Sequence, residues 1–307
     1  MWVVARRAAV LGVIDAAGRR AATINAMQIR AMTEADIEAT VALMVAGGWG
    51  ERRPFMELAL AAPSCKPLVG TVDGRVVATG LATVNGDAGW VGSIFVDPAL
   101  RGQGLGRAMT EEVCRRLEAA GCETLALIAS ELGRPIYERM GFRIDGWYQV
   151  HRAAPLPTPP VPPPGARLRP MLPADLERVS ALDRRATGED RSVLLGSLVD
   201  RGWVLENEDG GADGRLRGFL VAIKTDSGAL VAPDPADALV LLDQLRFLGS
   251  DRTEFVRATV LDVHVPGRRL LAGAGWEFGF QVPRMLRGPA IVLDPSLLWG
   301  LLGFAFG

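Results

Sequence analysis

Histidine, cysteine and lysine are scarce in this chain of 307 residues. The two histidines are His151 and His264, which excludes a histidine-rich metal site or a paired-histidine mechanism. The three cysteines, Cys65, Cys114 and Cys122, provide neither a disulfide framework nor metal-ligand spacing. We therefore expect no metal cofactor, and we expect the cysteines to be buried thiols of a cytoplasmic protein.

An excess of positive charge is missing as well. Lysine and arginine together number 34 against 35 acidic residues, so the net charge is −1. This balance disfavours nucleic acid as a partner. The apolar stretch over residues 290–306 is broken by Asp294, Pro295 and glycines, so it does not predict a membrane span. We expect neither nucleic acid nor a membrane as a partner.

Proline marks the clearest boundary in the chain. Seven of the ten residues from Pro155 to Pro164 are prolines, and such a run favours an extended spacer over a helix or central strand. We predict a linker over residues 153–165, with one domain over 27–152 and another over 166–307. Residues 1–26, rich in arginine and alanine, are expected to be a disordered extension. A ligand for a proline-binding partner is the alternative for the proline run.

Hydrophobic periodicity predicts the order β-α-α-β-β-β-α-β-α-β before the linker. The helix over Leu105–Ala120, for example, carries one apolar residue every four positions. The second half resembles this plan in the shorter order β-α-β-β-α-β-α-β: RAMTEADIE is matched by RPMLPADLE, and ERMGFRIDG by LAGAGWEFG. The expected fold class is α/β, a mixed sheet flanked by helices, in two tandem domains.

A glycine-rich loop lies between an apolar strand and the amphipathic helix. Helix N-termini offer unpaired N–H groups and a partial positive charge, and glycines allow a phosphate to approach the backbone. The spacing is neither the dinucleotide fingerprint nor a P-loop. The predicted phosphate-binding residues are Arg101, Gly102, Gln103, Gly104, Leu105, Gly106 and Arg107.

This loop resembles the pyrophosphate motif of the GNAT superfamily of N-acetyltransferases. Arg101, Gly104 and Gly106 match its pattern Arg/Gln-x-x-Gly-x-Gly/Ala. A second segment, LGRPIYERMGF ending at Phe142, is similar to a segment of the same family. The resemblance covers about residues 28–152 and implies a GNAT domain that uses acetyl-CoA as cosubstrate.

The resemblance also implies individual roles. Backbone groups at Phe95 and Val96 would pair with the pantetheine arm, and Tyr137 would protonate the departing thiolate, as a phenol can at neutral pH. A backbone N–H of the central strand would hold the oxyanion while an amine attacks directly. The implied activity is N-acetylation of a primary amine of a small molecule or an amino-acid-like acceptor.

The general base is left unassigned. The strand from Trp90 to Val96 carries no acid, and Glu51 and Glu57 are the candidates. Because many members of the family use a carboxylate as the base and none is found on this strand, a non-catalytic acyl-CoA-binding regulatory module stays open as the alternative function. Acyl transfer to a thiol or an alcohol is a third reading.

The second half lacks the glycine pattern and has VAPDPA from Val231 instead, so we expect a degenerate CoA site there. The chain resembles tandem GNAT proteins with a divergent C-terminal GNAT-like domain, through the segment Asp183–Ser192 and the closing RMLRG. The charges of Asp183, Asp190 and Arg191 would either form a polar network between the domains or line the acceptor site. The oligomeric state stays open, with a homodimer as one option.

Overall fold

The computed structural model describes residues 27–208, 215–224, 226–250 and 252–307. The extension predicted over residues 1–26 therefore lies outside the described residues. Tertiary contacts divide the chain into two compact units. Among described residues, the first unit comprises 27–61, Cys65–Ala82 and Ser93–Arg116, and the second comprises Ala62–Ser64, Thr83–Gly92 and the chain from Leu117 onward.

The predicted order of elements before the proline run is confirmed. These elements are β1 (Gln28–Ala31), α1 (Ile37–Ala46), α2 (Arg53–Ala61), β2 (Cys65–Val72), β3 (Arg75–Asn85), β4 (Ala88–Val96), α3 (Leu105–Ala119), β5 (Thr124–Ile128), α4 (Arg134–Arg139) and β6 (Arg143–Ala153). Helix α3 forms because its apolar positions fall on one face: Leu105, Met109, Val113 and Leu117 are at most 1% exposed.

The second half contains the predicted strands and helices and three elements that the sequence did not predict. In chain order these elements are β7 (Ala166–Pro170), α5 (Leu176–Thr187), α6 (Ser192–Gly196), β8 (Gly202–Asn207), β9 (Leu216–Lys224), β10 (Ser227–Val231), α7 (Pro235–Leu248), β11 (Val256–Leu261), α8 (Val265–Gly273), β12 (Glu277–Arg287) and β13 (Leu298–Gly300). The unpredicted elements are α6, β10 and β13. Each has at most five residues, which is too short for periodicity to show.

The sequence predicts that the first helix begins at Glu34, with Thr33 as its cap, and the structure begins it three residues later. Glu34–Asp36 form a 3-10 turn, and α1 begins only at Ile37. The Asp36 carboxylate accepts hydrogen bonds from the Thr33 N–H at 2.8 Å and the Thr33 hydroxyl at 2.9 Å. These bonds tighten the entry to the helix.

Residues 154–165 form neither a helix nor a strand. They nevertheless make defined contacts: Arg246 Nε on α7 donates to Ala154 O at 2.8 Å, and Leu156 N–H donates to Arg246 O. The division of the chain into domains at 153–165 stays a prediction.

In the first unit, β1 pairs antiparallel with β2, from Gln28 opposite Thr71 to Ala31 opposite Leu68. In the second unit, β4 runs parallel to β5 over Ala88–Trp90. Strand β12 lies antiparallel between β5 and β6, and β11 pairs with the other side of β6. Strands from the two sides of the proline run thus share one sheet.

A separate five-stranded sheet has the order β13-β10-β9-β8-β7. Helix α7 packs against it through Leu241, Leu242 and Leu245, which join Trp276 and Trp299 in one buried cluster. Burying each such side chain stabilises the fold by roughly 1.5–3 kcal/mol. The mixed α/β class with two sheets flanked by helices is confirmed.

The three cysteines are buried and none forms a disulfide. No helix in the described part of the chain has the length and apolar character needed to cross a membrane. Among the same residues, no group of three or more His, Cys, Asp and Glu could hold a metal ion.

Candidate functional site

The end of β4, predicted to bind pantetheine, has an irregular backbone. Ser93 adopts φ = 50°, which is uncommon for any residue but glycine, and its carbonyl accepts a hydrogen bond from Thr79 Oγ1 at 2.8 Å. The buried residues Phe95 and Val96 follow. A left-handed residue inside a strand changes the direction of the peptide groups beside it, as is common at functional sites. Sequence reasoning missed it because serine gives no signal for this conformation.

The glycine loop has the geometry that a phosphate site requires. Gly102 and Gly104 have φ of 75° and 87°, and Gly106 lies in the first turn of α3. The hydrogen bond from Ala108 N–H to Gly104 O closes this turn, so the N–H groups of 105–107 have no acceptor within the helix. With the positive end of the helix dipole, these groups suit a diphosphate.

The two arginines of the loop are engaged within the protein. Arg101 Nε donates to Val96 O at 3.2 Å, and its guanidinium lies 5.5 Å from the centre of the Phe95 ring. Arg107 Nε donates to Glu111 Oε1 at 2.7 Å. A phosphate could take the place of either partner. The Arg107 ion pair is solvent-exposed and therefore weak, and Arg101 bonds only a neutral carbonyl. Release of Arg101 would also free the Val96 carbonyl for a ligand.

Tyr137 belongs to the second unit and lies on α4. Its side chain is 9% exposed, and its ring packs edge-on against Phe142 with centroids 6.1 Å apart. A Cβ at Gly133 would lie 2.8 Å from the ring and 3.2 Å from the hydroxyl oxygen. Gly133 therefore makes room for the hydroxyl end of this side chain.

The candidate bases Glu51 and Glu57 lie in the first unit and are both exposed. Glu51 Oε1 accepts a hydrogen bond from the Arg53 N–H at 2.9 Å, at the start of α2. Glu57 lies on the exposed side of the same helix. Neither is shown beside a bound amine, so the base stays unassigned.

In the second half, the start of α7 corresponds to the start of α3 but differs in structure. Asp234 Oδ1 accepts the Ala236 N–H at 2.8 Å, and α7 begins immediately at Pro235 with no intervening glycine loop. Asp237, also in the first turn, accepts a hydrogen bond from Arg217 at 2.6 Å. Carboxylates already occupy the positive end of this helix, which disfavours a phosphate there.

The acidic segment from Asp183 forms a buried ion pair. Arg191 Nε donates to Asp183 Oδ2 at 2.9 Å, and Nη1 donates to Gly307 O at 2.7 Å; both side chains are 1% exposed. These three residues all belong to the second half, so the predicted network between the domains stays a prediction. Asp190 pairs with Arg184 at the surface.

Glu189, in the same segment, is a functional candidate that sequence reasoning missed. Its carboxylate oxygen Oε2 accepts hydrogen bonds from Asn85 Nδ2 and Trp90 Nε1, both at 2.8 Å. Burial raises the pKa of Glu189, although the charge of Arg191 and the two hydrogen bonds offset part of the effect. Its partners lie about a hundred residues earlier in the chain, so no local pattern could have indicated them.

Comparison with known families matches each half of the chain to a model of GNAT acetyltransferases. The model described as "Acetyltransferase (GNAT) family" matches residues 33–142, and the one described as "Acetyltransferase (GNAT) domain" matches residues 179–300. These two segments include the glycine loop and the Glu189 segment, respectively.

Individual relatives agree at the level of the fold. A putative acetyltransferase from Pyrococcus horikoshii aligns with a TM-score of 0.75 and 24% identity, over 92% of this chain and 96% of that one. A tandem GNAT protein from the clavulanic acid biosynthesis pathway aligns with a TM-score of 0.60 and 16% identity, over 86% and 99%.

A curated protein also matches over a short segment. Glucosamine 6-phosphate N-acetyltransferase of Trypanosoma brucei brucei is 40% identical over 55 residues, which are 18% of this chain and 37% of that protein. The chain therefore spans little more than a third of the length of this relative.

Proposed function

Because the chain belongs to the GNAT acetyltransferases and carries two domains of that family, we propose that it transfers acetyl from acetyl-CoA to a primary amine of a small molecule. The observation that carries the proposal is the loop at the start of α3. It combines left-handed glycines, N–H groups at residues 105–107 that have no acceptor within the helix, and two arginines whose present partners a phosphate can replace.

Acetyl-CoA would supply an activated acetyl group, and the chain would supply its binding and the movement of protons. The N–H groups of Leu105, Gly106 and Arg107 would hold the pyrophosphate, with Arg101 turning from Val96 O to a phosphate oxygen. The backbone at Phe95 and Val96 would bind the pantetheine arm in the manner of an added strand. The Tyr137 hydroxyl would donate a proton to the departing sulfur.

A small amine is favoured as the acceptor for two reasons. The composition has no excess of basic residues that would favour a partner bound to nucleic acid. The matched segment of the Trypanosoma protein belongs to an enzyme named for an amino sugar phosphate. Amino sugars and amino-acid-like amines are therefore the first acceptors to screen. A cytoplasmic location stays a prediction from the buried thiols.

Calorimetric titration of acetyl-CoA into the full chain tests the loop. We expect binding at one site per chain and its loss in Gly104→Glu, which places a carboxylate among the phosphate-binding N–H groups. Gly275→Glu is the matched control, because Gly275 also has positive φ, at 80°, with no atom within 4 Å of an added Cβ. Binding that survives Gly104→Glu, or is lost equally in both variants, would remove the loop from the proposal.

Turnover tests the transfer itself. Release of the CoA thiol is followed with glucosamine 6-phosphate, glucosamine and a panel of amino acids. Tyr137→Phe should lower kcat by roughly 100-fold, within the range of proton-transfer catalysis, and leave acetyl-CoA affinity unchanged. Tight acetyl-CoA binding without turnover on any amine would favour the regulatory module instead.

A further inference from the structure

Arg101 is bonded to a backbone group that the proposed site offers to the pantetheine arm. Its Nε donates to the Val96 carbonyl oxygen at 3.2 Å, and its guanidinium lies 5.5 Å from the centre of the Phe95 ring. The same side chain is the one proposed to bind the pyrophosphate. The pantetheine arm can therefore bond the Val96 carbonyl only after Arg101 has left it.

The Val96 carbonyl is directed away from the neighbouring strand β3. The Asp97 N–H of the same peptide group donates to Val77 O on β3 at 2.9 Å. In a trans peptide the C=O and the N–H point in opposite directions, and the described chain has no cis peptide. On the other side, the pairing of β4 with β5 covers Ala88–Trp90 and ends well before Val96. Among the described residues, Arg101 thus supplies the donor that strand pairing does not.

The packing around Phe95 keeps this arrangement in place. The Phe95 ring is 2% exposed and meets the Trp49 ring edge-on, with centroids 5.0 Å apart. A Cβ at Gly47 would lie 2.0 Å from Phe95 Cζ, so the ring lies directly on the backbone there. A ring held on these sides offers the Arg101 guanidinium a fixed face. The attraction between cation and ring adds to the hydrogen bond with Val96.

The second arginine of the loop bonds a side chain instead. Arg107 Nε donates to Glu111 Oε1 at 2.7 Å, one turn further along α3, and both side chains are more than half exposed. This ion pair leaves the backbone of β4 untouched. Arg107 can therefore add charge for a phosphate, whereas Arg101 also controls a carbonyl on the path of the pantetheine arm.

We propose that Arg101 selects the acyl donor, because it closes the Val96 carbonyl until a phosphate draws it away. This inference rests on the proposed function, since it concerns the same acyl-donor site. A donor that carries the diphosphate gives Arg101 charged oxygens in exchange for a neutral one, and charge-assisted hydrogen bonds are the stronger kind. A donor without phosphate displaces Arg101 with no such exchange. The site therefore takes pantetheine thioesters that carry phosphate next to the arm and disfavours those that lack it.

Acetylpantetheine, which lacks the diphosphate, is the probe, and acetyl-CoA is the comparison ligand. Each is titrated calorimetrically into the full chain and into its Arg101→Ala variant. We expect the variant to bind acetylpantetheine several-fold more tightly, because the carbonyl is open. It should bind acetyl-CoA roughly tenfold more weakly, because one charge-assisted hydrogen bond is lost. General damage to the site would weaken both ligands, so opposite changes identify the competition at Val96.

Arg107→Ala is the matched control, because it removes a loop arginine that does not bond the Val96 carbonyl. It should weaken acetyl-CoA binding and leave the affinity for acetylpantetheine unchanged. The Val96 carbonyl carbon, labelled with carbon-13, gives a second readout that needs no acyl donor. Its NMR signal should move when inorganic pyrophosphate is added to the wild type, and should move far less in Arg101→Ala.

Two results would overturn the inference and leave acetyl-CoA binding by the wild type in place. One is acetylpantetheine binding by Arg101→Ala that is no tighter than that of the wild type, or is undetectable. The other is an equal gain in Arg107→Ala, which would make the effect one of loop charge alone. Failure of the wild type to bind acetyl-CoA is a third and distinct result, which would remove the proposed function and this inference together.

Discussion

The two halves of the chain begin with the same structure and then diverge where the chemistry is expected. Arg169 and Asp175 in the second half repeat Arg30 and Asp36 in the first, with the Nη1–Oδ2 distance 2.7 Å in both. In each half the aspartate also accepts, at 2.8 Å, the N–H three residues before it. The repeat in sequence is therefore a repeat in hydrogen bonding.

The strand register shows where the halves part. Gln28 lies opposite Thr71 in the first half, and Arg167 lies opposite Glu206 at the equivalent place in the second. The fully buried Glu206 accepts hydrogen bonds from Arg167, Arg169 and Arg178. The second half thus has a buried ion cluster where the first has an uncharged pair. Its helix start likewise has acids where the first half has glycines, so it retains the fold without the phosphate loop.

The largest effect, on acetyl-CoA affinity, is expected from a change that makes the start of α3 resemble the start of α7. Deletion of Arg101 through Gly104 joins the Asp-Pro-Ala-Leu segment directly to α3, as Asp-Pro-Ala leads directly into α7. We expect the Kd for acetyl-CoA to rise by at least about 100-fold, because several charge-assisted hydrogen bonds are lost. Calorimetry measures the loss, and circular dichroism confirms that the variant folds. Acetyl-CoA binding by the deleted chain would show that the second half holds a working site.

The next effect concerns stability. Glu206→Thr installs the residue of the first half, removes the carboxylate that Arg167 contacts, and leaves Arg169 and Arg178 with Asp175 alone. We expect the free energy of unfolding to fall by about 3–5 kcal/mol, the usual cost of breaking a buried charge pair. Thr71→Val is the control in the first half, with an expected change of under about 1 kcal/mol. Urea denaturation measures both, and equal losses would contradict the distinction between the halves.

The smallest effect is expected in how the stability of the folded chain depends on pH. Burial opposes ionisation of Glu206, but hydrogen bonds from Arg169, Arg167 and Arg178 outweigh it and lower its pKa from 4.5 to about 2. A lowered carboxyl pKa gives stability that is present above pH 4.5 and lost as pH falls toward 2. The urea midpoint should therefore fall more steeply over this window in the wild type than in Glu206→Gln. Parallel slopes would mean that the cluster does not hold Glu206 ionised.

Short sequence patterns predicted those structural features whose interacting residues lie close together in the chain. The stripe on α3, the glycine loop and the Arg-Asp repeat all lie within short segments, and the structure contains each of them. Long-range pairing lay beyond prediction: the partners of Glu189 are Asn85 and Trp90, far along the chain. Arg101 was expected at a phosphate and bonds Val96 O, because a charged side chain takes the acceptor within reach.

The insertion of β12 between β5 and β6 has a consequence for biosynthesis. Both flanking strands leave the ribosome well over a hundred residues before β12 does. At ordinary rates of translation this leaves their edges unpaired for on the order of 10 s, and exposed strand edges are where chains aggregate. Cleavage within the proline run would not yield two independent products, because β5 and β6 would lose the strand that joins them. The nascent chain should therefore depend on chaperones until its final strands emerge.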